Sequence, residues 1–147
     1  MFNRILVVCV GNICRSPTAE YLLRARLGGK GREVASAGLS AMVGQAMEPT
    51  AAELLRENGI DGSAHRGRQA TGELLRQADL ILTMEKVHSA TIVRGFPEVS
   101  GKVFLLGKWQ SDLDIPDPYR QSRHAFVHAY RLIDQSIDGW LPYLKKH

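Results

Sequence analysis

The chain has too few cysteines to be held together by disulfides. Only Cys9 and Cys14 occur in 147 residues, whereas small disulfide scaffolds need several pairs. Four residues separate the two, which does not fit a usual zinc half-site, and no second pair completes one. No metal is expected. Long apolar runs are also missing. The run in MFNRILVVCV is too short for a membrane span and lacks the small-residue cleavage site of a signal peptide. Membrane insertion is therefore not expected, and the reducing cytosol is the default compartment. Charge of one sign does not cluster. The formal net charge is +4, but no basic stripe interleaved with aromatics is present, which argues against nucleic acid as a partner. What is left is a mildly positive field that favours anionic substrates. Internal repeats, low-complexity tracts and Pro/Ser-rich linkers are absent, so residues 1–147 read as a single domain.

What is there is an alternation of strands and helices. Residues 3–9 form a short β-branched and aliphatic run expected as a buried strand. Ser16-Pro17 reads as a helix start, with Ser16 as N-cap and Pro17 at the first helical position. That helix carries Ala19, Leu22, Leu23 and Leu27 and stops at Gly28-Gly29. A strand is expected near 32–37, then a loop over 38–47. A helix opens at Glu48-Pro49 and ends at Asn58-Gly59. Thr71 caps a short helix ending near Ala78. Residues 79–84 read as a second buried strand. A helix over 86–94 is broken by Gly95 and Pro97, and a strand follows at 103–106. The last helix is amphipathic, with Phe126, Tyr130, Ile133, Ile137, Trp140 and Leu144 on one stripe. Gly139 and Pro142 suggest a kink or fray near its end. The expectation is an α/β fold: a parallel sheet with helices on both faces. Ligands of such sheets bind beyond the carboxyl ends of the strands, and Cys9 lies at one.

The segment that carries chemistry is Cys9-Val10-Gly11-Asn12-Ile13-Cys14-Arg15-Ser16-Pro17. A helix N-terminus offers unpaired N–H groups and partial positive charge to a phosphate. A compact loop can turn successive N–H groups inward into an anion nest. Gly11 and then Asn12 are the residues most tolerant of the left-handed turns this requires. Arg15 supplies a planar fork for two phosphate oxygens. The same field pulls the Cys9 thiol toward thiolate, to which the Ser16 hydroxyl can donate. A thiolate in a phosphate nest is a nucleophile aimed at phosphorus. A lone cysteine ending a strand would be read as a small hydrophobe; the strand, the five-residue spacing to Arg15 and the helix start together outweigh that. Cys14 is either an apolar filler or a thiol that captures oxidised Cys9.

Departure of a phenolate needs a proton donor. Asp117, stiffened by Pro116 and Pro118, is the candidate, with Asp112 and Asp114 as competing carboxylates. By itself an Asp before Pro is a common turn element. Tyr119 beside it can stack on an aromatic substrate.

This loop at the N-terminus, with Asp117-Pro118-Tyr119, resembles the low-molecular-weight protein tyrosine phosphatases. Ser36-Ala37-Gly38, residues 65–69 and residues 80–85 are similar to family segments as well, so the likeness covers nearly the full chain. It is nearest to the bacterial members associated with capsule and exopolysaccharide production, which act on autophosphorylated tyrosine kinases. The resemblance implies a four-stranded parallel twisted sheet in three layers, with no cofactor or metal; the sequence does not give the oligomeric state, a monomer being favoured. It implies Cys9 as nucleophile, Arg15 as phosphate binder and Asp117 as acid then base. Val10, Gly11, Ile13 and Cys14 complete the phosphate loop, and Asn12 and Ser16 hold loop and thiolate. Tyr119 lines the pocket, faced by Leu39 or Met42. Two departures stand out. Many eukaryotic members carry a second Tyr where Arg120 stands, and a Trp in the 38–47 loop that is missing here. Arsenate reductases of similar fold need further cysteines to relay a disulfide outward. Phosphoarginine phosphatases carry Thr where Ile13 stands, and Ile13 favours an aryl phosphate. A non-catalytic phosphotyrosine-binding or redox-sensing module would not need the complete Cys, Arg and Asp set.

Other conspicuous residues read as structural. His124 and His128 lie off the apolar stripe, on a solvated face. Trp109 and Trp140 read as core or rim. Arg66 and Arg68 either dock an acidic phosphopeptide or are simply exposed.

Overall fold

Successive residues of a strand point to opposite faces of its sheet, and both faces of the central strands are apolar here. In the computed structural model, which describes residues 2–28 and 31–145, β1 spans Arg4–Cys9. Its Ile5, Val7 and Cys9 enter one core with the helices α1 (Arg15–Leu27), α2 (Pro49–Glu57) and α5 (Arg123–Leu144). Its Leu6 and Val8 enter a second core that takes in Leu75 of α3 (Gly72–Gln77) and Ile92 of α4 (Lys86–Gly95). The strand β3 (Leu80–Thr83) divides in the same way, with Leu80 and Leu82 on one side and Ile81 on the other. A strand covered twice cannot alternate apolar and polar residues, which is why these runs are continuous. The strands β2 (Glu33–Gly38) and β4 (Val103–Leu105) complete an all-parallel sheet of order β2-β1-β3-β4. The three layers expected from the resemblance are present.

The order places the sheet's switch point between β1 and β3. The chain leaves β1 toward β2 on one side and continues from β3 to β4 on the other. The crevice at such a point is the preferred ligand site of an open parallel sheet, and the loop after Cys9 opens into it. β2 is an outer strand. Two arginines cover its free edge: Arg24 Nε donates to the Val34 carbonyl at 3.0 Å and Arg68 Nε to the Ser36 carbonyl at 3.0 Å. Cations on an edge strand discourage pairing with another chain.

Most helix boundaries follow the local signals. Gly28 ends α1 in a left-handed conformation, φ 70°; Gly29 lies outside the described residues. Thr71 caps α3 and Ser122 caps α5 through their hydroxyls. Two expectations change. The first helix begins at Arg15, with Cys14 rather than Ser16 at the N-cap and no side-chain cap. Pro17 therefore sits within the first turn, where its missing N–H has no helical partner to lose, and Ser16 is free for another task. The last helix, expected to kink or fray near its end, continues through Gly139 and Pro142 to Leu144. A short 3-10 turn over Pro97–Lys102, which the sequence reading did not anticipate, joins α4 to β4.

Gly139 is required by a close approach. A Cβ there would lie 2.8 Å from Cβ of Trp109, whose ring stacks on Tyr143 at 4.3 Å between centroids. Next to it Trp140 is buried and donates its indole N–H to the Leu106 carbonyl at 2.9 Å. Gly139→Ala should therefore lower stability although alanine is the better helix former. Urea denaturation is expected to show a loss of about 1–3 kcal/mol, the scale of overpacking, where an exposed site would show a gain.

Candidate active site

The loop from Cys9 to Cys14 is turned inside out by its neighbours. Every one of its carbonyls is held from outside. Cys9, Val10 and Gly11 accept from the N–H groups of Leu39, Ser40 and Met42 at 2.9, 3.0 and 2.9 Å, Ile13 from Glu48 at 2.9 Å, and Cys14 from Thr18 at 3.2 Å. The Asn12 carbonyl pairs with Nε2 of His65 at 2.7 Å. With the carbonyls outward, the amides of residues 10 to 14 point the other way, and none has an acceptor among the described residues. Unpaired N–H groups converging on one point form an anion nest. Gly38 makes the packing possible, since a Cβ there would come within 2.3 Å of the Val10 carbonyl oxygen.

The left-handed residue of the loop is Asn12, at φ 60°, and not Gly11, whose φ is negative. Asn12 is fully buried and all its side-chain polar groups are used. Its Oδ1 accepts from the Arg68 N–H at 2.9 Å, which fixes the orientation of the amide. Its Nδ2 donates to Ser16 Oγ at 2.8 Å and to Ser36 Oγ at 2.9 Å. The Ser36 hydroxyl in turn donates to the buried carboxylate of Glu20 at 2.6 Å. A carboxylate can only accept, so the direction of this chain of bonds is set from Glu20 inward. Ser16 accepts from Asn12, and its own hydrogen is left to donate to the Cys9 sulfur, 2.8 Å away. This is the task that takes Ser16 from the capping position. A donor so aimed stabilises negative charge on sulfur.

Arg15 is buried and held on one side. Its Nη1 donates to Glu85 Oε2 at 2.5 Å and to the Ile115 carbonyl at 2.7 Å, while Nη2 lies 3.8 Å from Asp117. Glu85 follows β3 and is steadied from below: Nδ1 of His88 accepts the Glu85 N–H at 3.2 Å. Burial, with the Arg15 guanidinium nearby, holds the His88 imidazole below its ordinary range, which keeps Nδ1 free to accept.

Of the three candidate carboxylates only Asp117 reaches the cleft. Asp114 is engaged with Lys86, accepting its backbone N–H at 3.0 Å, and Asp112 is exposed. The Asp117 side chain is half exposed, at 49%. Buried Ile115 pins the segment, donating to the Met84 carbonyl at 2.9 Å while its own carbonyl receives Arg15.

The cleft measures about 200 Å3. It is lined by the loop from Cys9 to Arg15 and by Ser40, Met42, Asp117 and Tyr119. Leu39, the alternative to Met42, packs instead against the core beneath α3 and α4. Cys14 sits behind the loop, and burial pushes its thiol far above the usual range, so it stays protonated. Both cysteines are free thiols. His124 and His128 are exposed on α5. Arg66 and Arg68 lie on the far side of the loop segment, beside His65 and Glu20.

Glu20, Ser36, His65 and Glu85 are the site residues that residue-by-residue reading did not assign. Glu20 alone carried a signal, a carboxylate on the inward face of α1 beside Ala19 and Leu23; the others lie 24 to 70 residues from their partners in the loop.

The family model for low molecular weight phosphotyrosine protein phosphatases matches residues 4–147. The chain is 50% identical over 140 residues to the low molecular weight protein-tyrosine-phosphatase Wzb of Salmonella typhimurium, covering 95% of this chain and 93% of that one. Among solved structures, Vibrio vulnificus Wzb in complex with benzylphosphonate is 48% identical with a TM-score of 0.92, covering 97% of this chain and 99% of that one. The YwlE arginine phosphatase from Geobacillus stearothermophilus is 36% identical with a TM-score of 0.90, over 97% and 92% of the two chains. No helix among the described residues is long and apolar enough to cross a membrane. By sequence and by fold, this chain belongs to the low molecular weight phosphotyrosine protein phosphatase family.

Proposed function

We propose that the chain hydrolyses phosphotyrosine in proteins through a cysteinyl-phosphate intermediate. The observation that carries this reading is the inverted loop: its amides face a cleft that also contains the Cys9 sulfur, Arg15 and Asp117. The amides and the guanidinium hold the three non-bridging oxygens, where transition-state charge is spread. The Cys9 sulfur attacks phosphorus in line with the ester oxygen. A sulfur–phosphorus bond forms and the phosphorus–oxygen bond breaks. Asp117 gives its proton to the departing phenolate. In the second step Asp117 takes a proton from water, the oxygen of that water attacks phosphorus, and Cys9 leaves with inorganic phosphate released. Ser16 stabilises the sulfur at both ends of the cycle.

The leaving group is read as phenolic because Tyr119 and Met42 both line the cleft and an aromatic ring packs well against such side chains. A bacterial tyrosine kinase of polysaccharide export, autophosphorylated and reached from the cytosol, is the substrate this reading favours. Its support is the resemblance to the capsule and exopolysaccharide members and the 50% identity to the phosphatase named Wzb. Phosphoarginine is the second reading, favoured by the likeness to the YwlE arginine phosphatase. Apolar Ile13 in the cleft lining weighs against it, since an oxygen or nitrogen ligand at that position would suit a guanidino group better. Hydrolysis of matched phosphotyrosine and phosphoarginine peptides decides: preference for phosphoarginine would displace the first reading.

Cys9→Ser is expected to abolish turnover of an aryl phosphate, and full activity in that variant would sink the mechanism. Asp117→Asn should slow turnover by about 100- to 10,000-fold, the range of a lost general acid, while phosphate still binds. Glu85→Gln weakens the anchor of Arg15. Inhibition by inorganic phosphate should then require roughly tenfold higher concentration, as for loss of a charged hydrogen bond, and an unchanged inhibition constant would show that Glu85 does not position Arg15.

A further inference from the structure

Four features converge on Arg120. It has φ 64°, the left-handed region that side chains other than glycine, asparagine and aspartate rarely adopt. It occupies the third position of a turn closed by the Gln121 N–H on the Pro118 carbonyl at 2.9 Å, the position at which a turn with positive φ takes glycine. Its guanidinium lies 5.3 Å from the centroid of the Tyr119 ring, and that ring lines the cleft. It is exposed, and among the described residues no carboxylate lies within ion-pair distance of it. Strain retained at the edge of a site points to a role for the side chain that bears it. Neighbouring cations are already engaged: Arg15 with Glu85, Lys86 with Asp114 and Arg123 with Glu53 and Glu57.

We infer that Arg120 is a specificity residue that reads an anionic group, a carboxylate or a second phosphate, next to the phosphotyrosine of a protein substrate. The inference rests on the phosphotyrosine reading above. The ring of Tyr119, which lines the cleft, holds the guanidinium beside it, and the carboxylate of Asp117, just before the turn, makes no ion pair with it. An arginine resting on an aromatic face keeps its fork free for a planar anion. Arg120 does not touch the reacting atoms. It acts on which protein segment is held, and so on KM for extended substrates.

The test compares phosphotyrosine peptides carrying Glu or Gln within two residues on either side, and a peptide with two adjacent phosphotyrosines, against p-nitrophenyl phosphate. The wild-type chain is expected to favour the Glu or doubly phosphorylated peptide over Gln by about two- to fivefold in kcat/KM at low salt, the range of an exposed ion pair, and to lose the preference at 0.5 M salt. Arg120→Gly keeps the turn, because glycine suits its φ, and should bring the ratio to about one; Arg120→Lys should retain most of it. The ratio between peptides is the readout, so a general change in turnover does not mimic it. A wild-type ratio near one at every position, or a ratio that persists in Arg120→Gly, overturns the inference. Failure of p-nitrophenyl phosphate hydrolysis in the wild type would instead overturn the underlying phosphatase mechanism.

Discussion

The structure depends on the outward anchoring of six successive carbonyls, from Cys9 to Cys14. A backbone left to itself pairs its N–H groups with nearby carbonyls or with water. Here residues 39–48, the imidazole of His65 and the first turn of α1 take every carbonyl of the loop, and the amides have nowhere to turn but the cleft. The positive character of the site is therefore made largely of backbone dipoles, which need no side-chain reorganisation to meet a phosphate. Arg15 adds the only formal charge among the groups of the loop, and Glu85 with Ile115 stops that charge from swinging away.

The surrounding fold supplies the rigidity this requires. The loop leaves β1 at the sheet's switch point and enters α1 directly, so one end is set by strand pairing and the other by the helix. The packing of α1 against α5, tied by ion pairs from Arg26 to Asp134 and Asp138, keeps the helix in register with the sheet. Behind the loop, Glu20, Ser36, Asn12 and Ser16 form a buried polar chain in which each hydrogen has one place to go. Buried networks hold a single arrangement only when every member is satisfied, and this one ends on the Cys9 sulfur.

The parts of the fold that were legible in the sequence are those governed by local rules. Continuous apolar runs at 5–9 and 80–84, the Thr71 cap and the glycine stop at Gly28 all depend on residues within a turn or strand of one another. The stripe on α5 was readable for the same reason. Ser16 misled because a Ser-Pro pair looks the same whether its hydroxyl caps a helix or serves a thiol. Gly11 misled because glycine permits a left-handed turn without requiring one, and Asn12 took it instead. Gly139 and Pro142 pointed to a kink or fray, but a helix packed along its whole length carries both to Leu144: the glycine makes room for Trp109, and the proline lies in the final turns.

The chemistry proposed for the site was readable from sequence alone, because Cys9, the loop after it and Arg15 lie within seven residues of one another. Asp117 was nameable from its prolines and Tyr119, yet only the folded chain separates it from Asp112 and Asp114, by spending Asp114 on Lys86 and leaving Asp112 in solvent. Tertiary structure also decided how the loop is inverted and how Arg15 is anchored, and it placed Met42 and not Leu39 on the wall. Each of these rests on contacts between segments tens of residues apart, and such contacts come into being only when the strands have paired and both faces of the sheet have been covered.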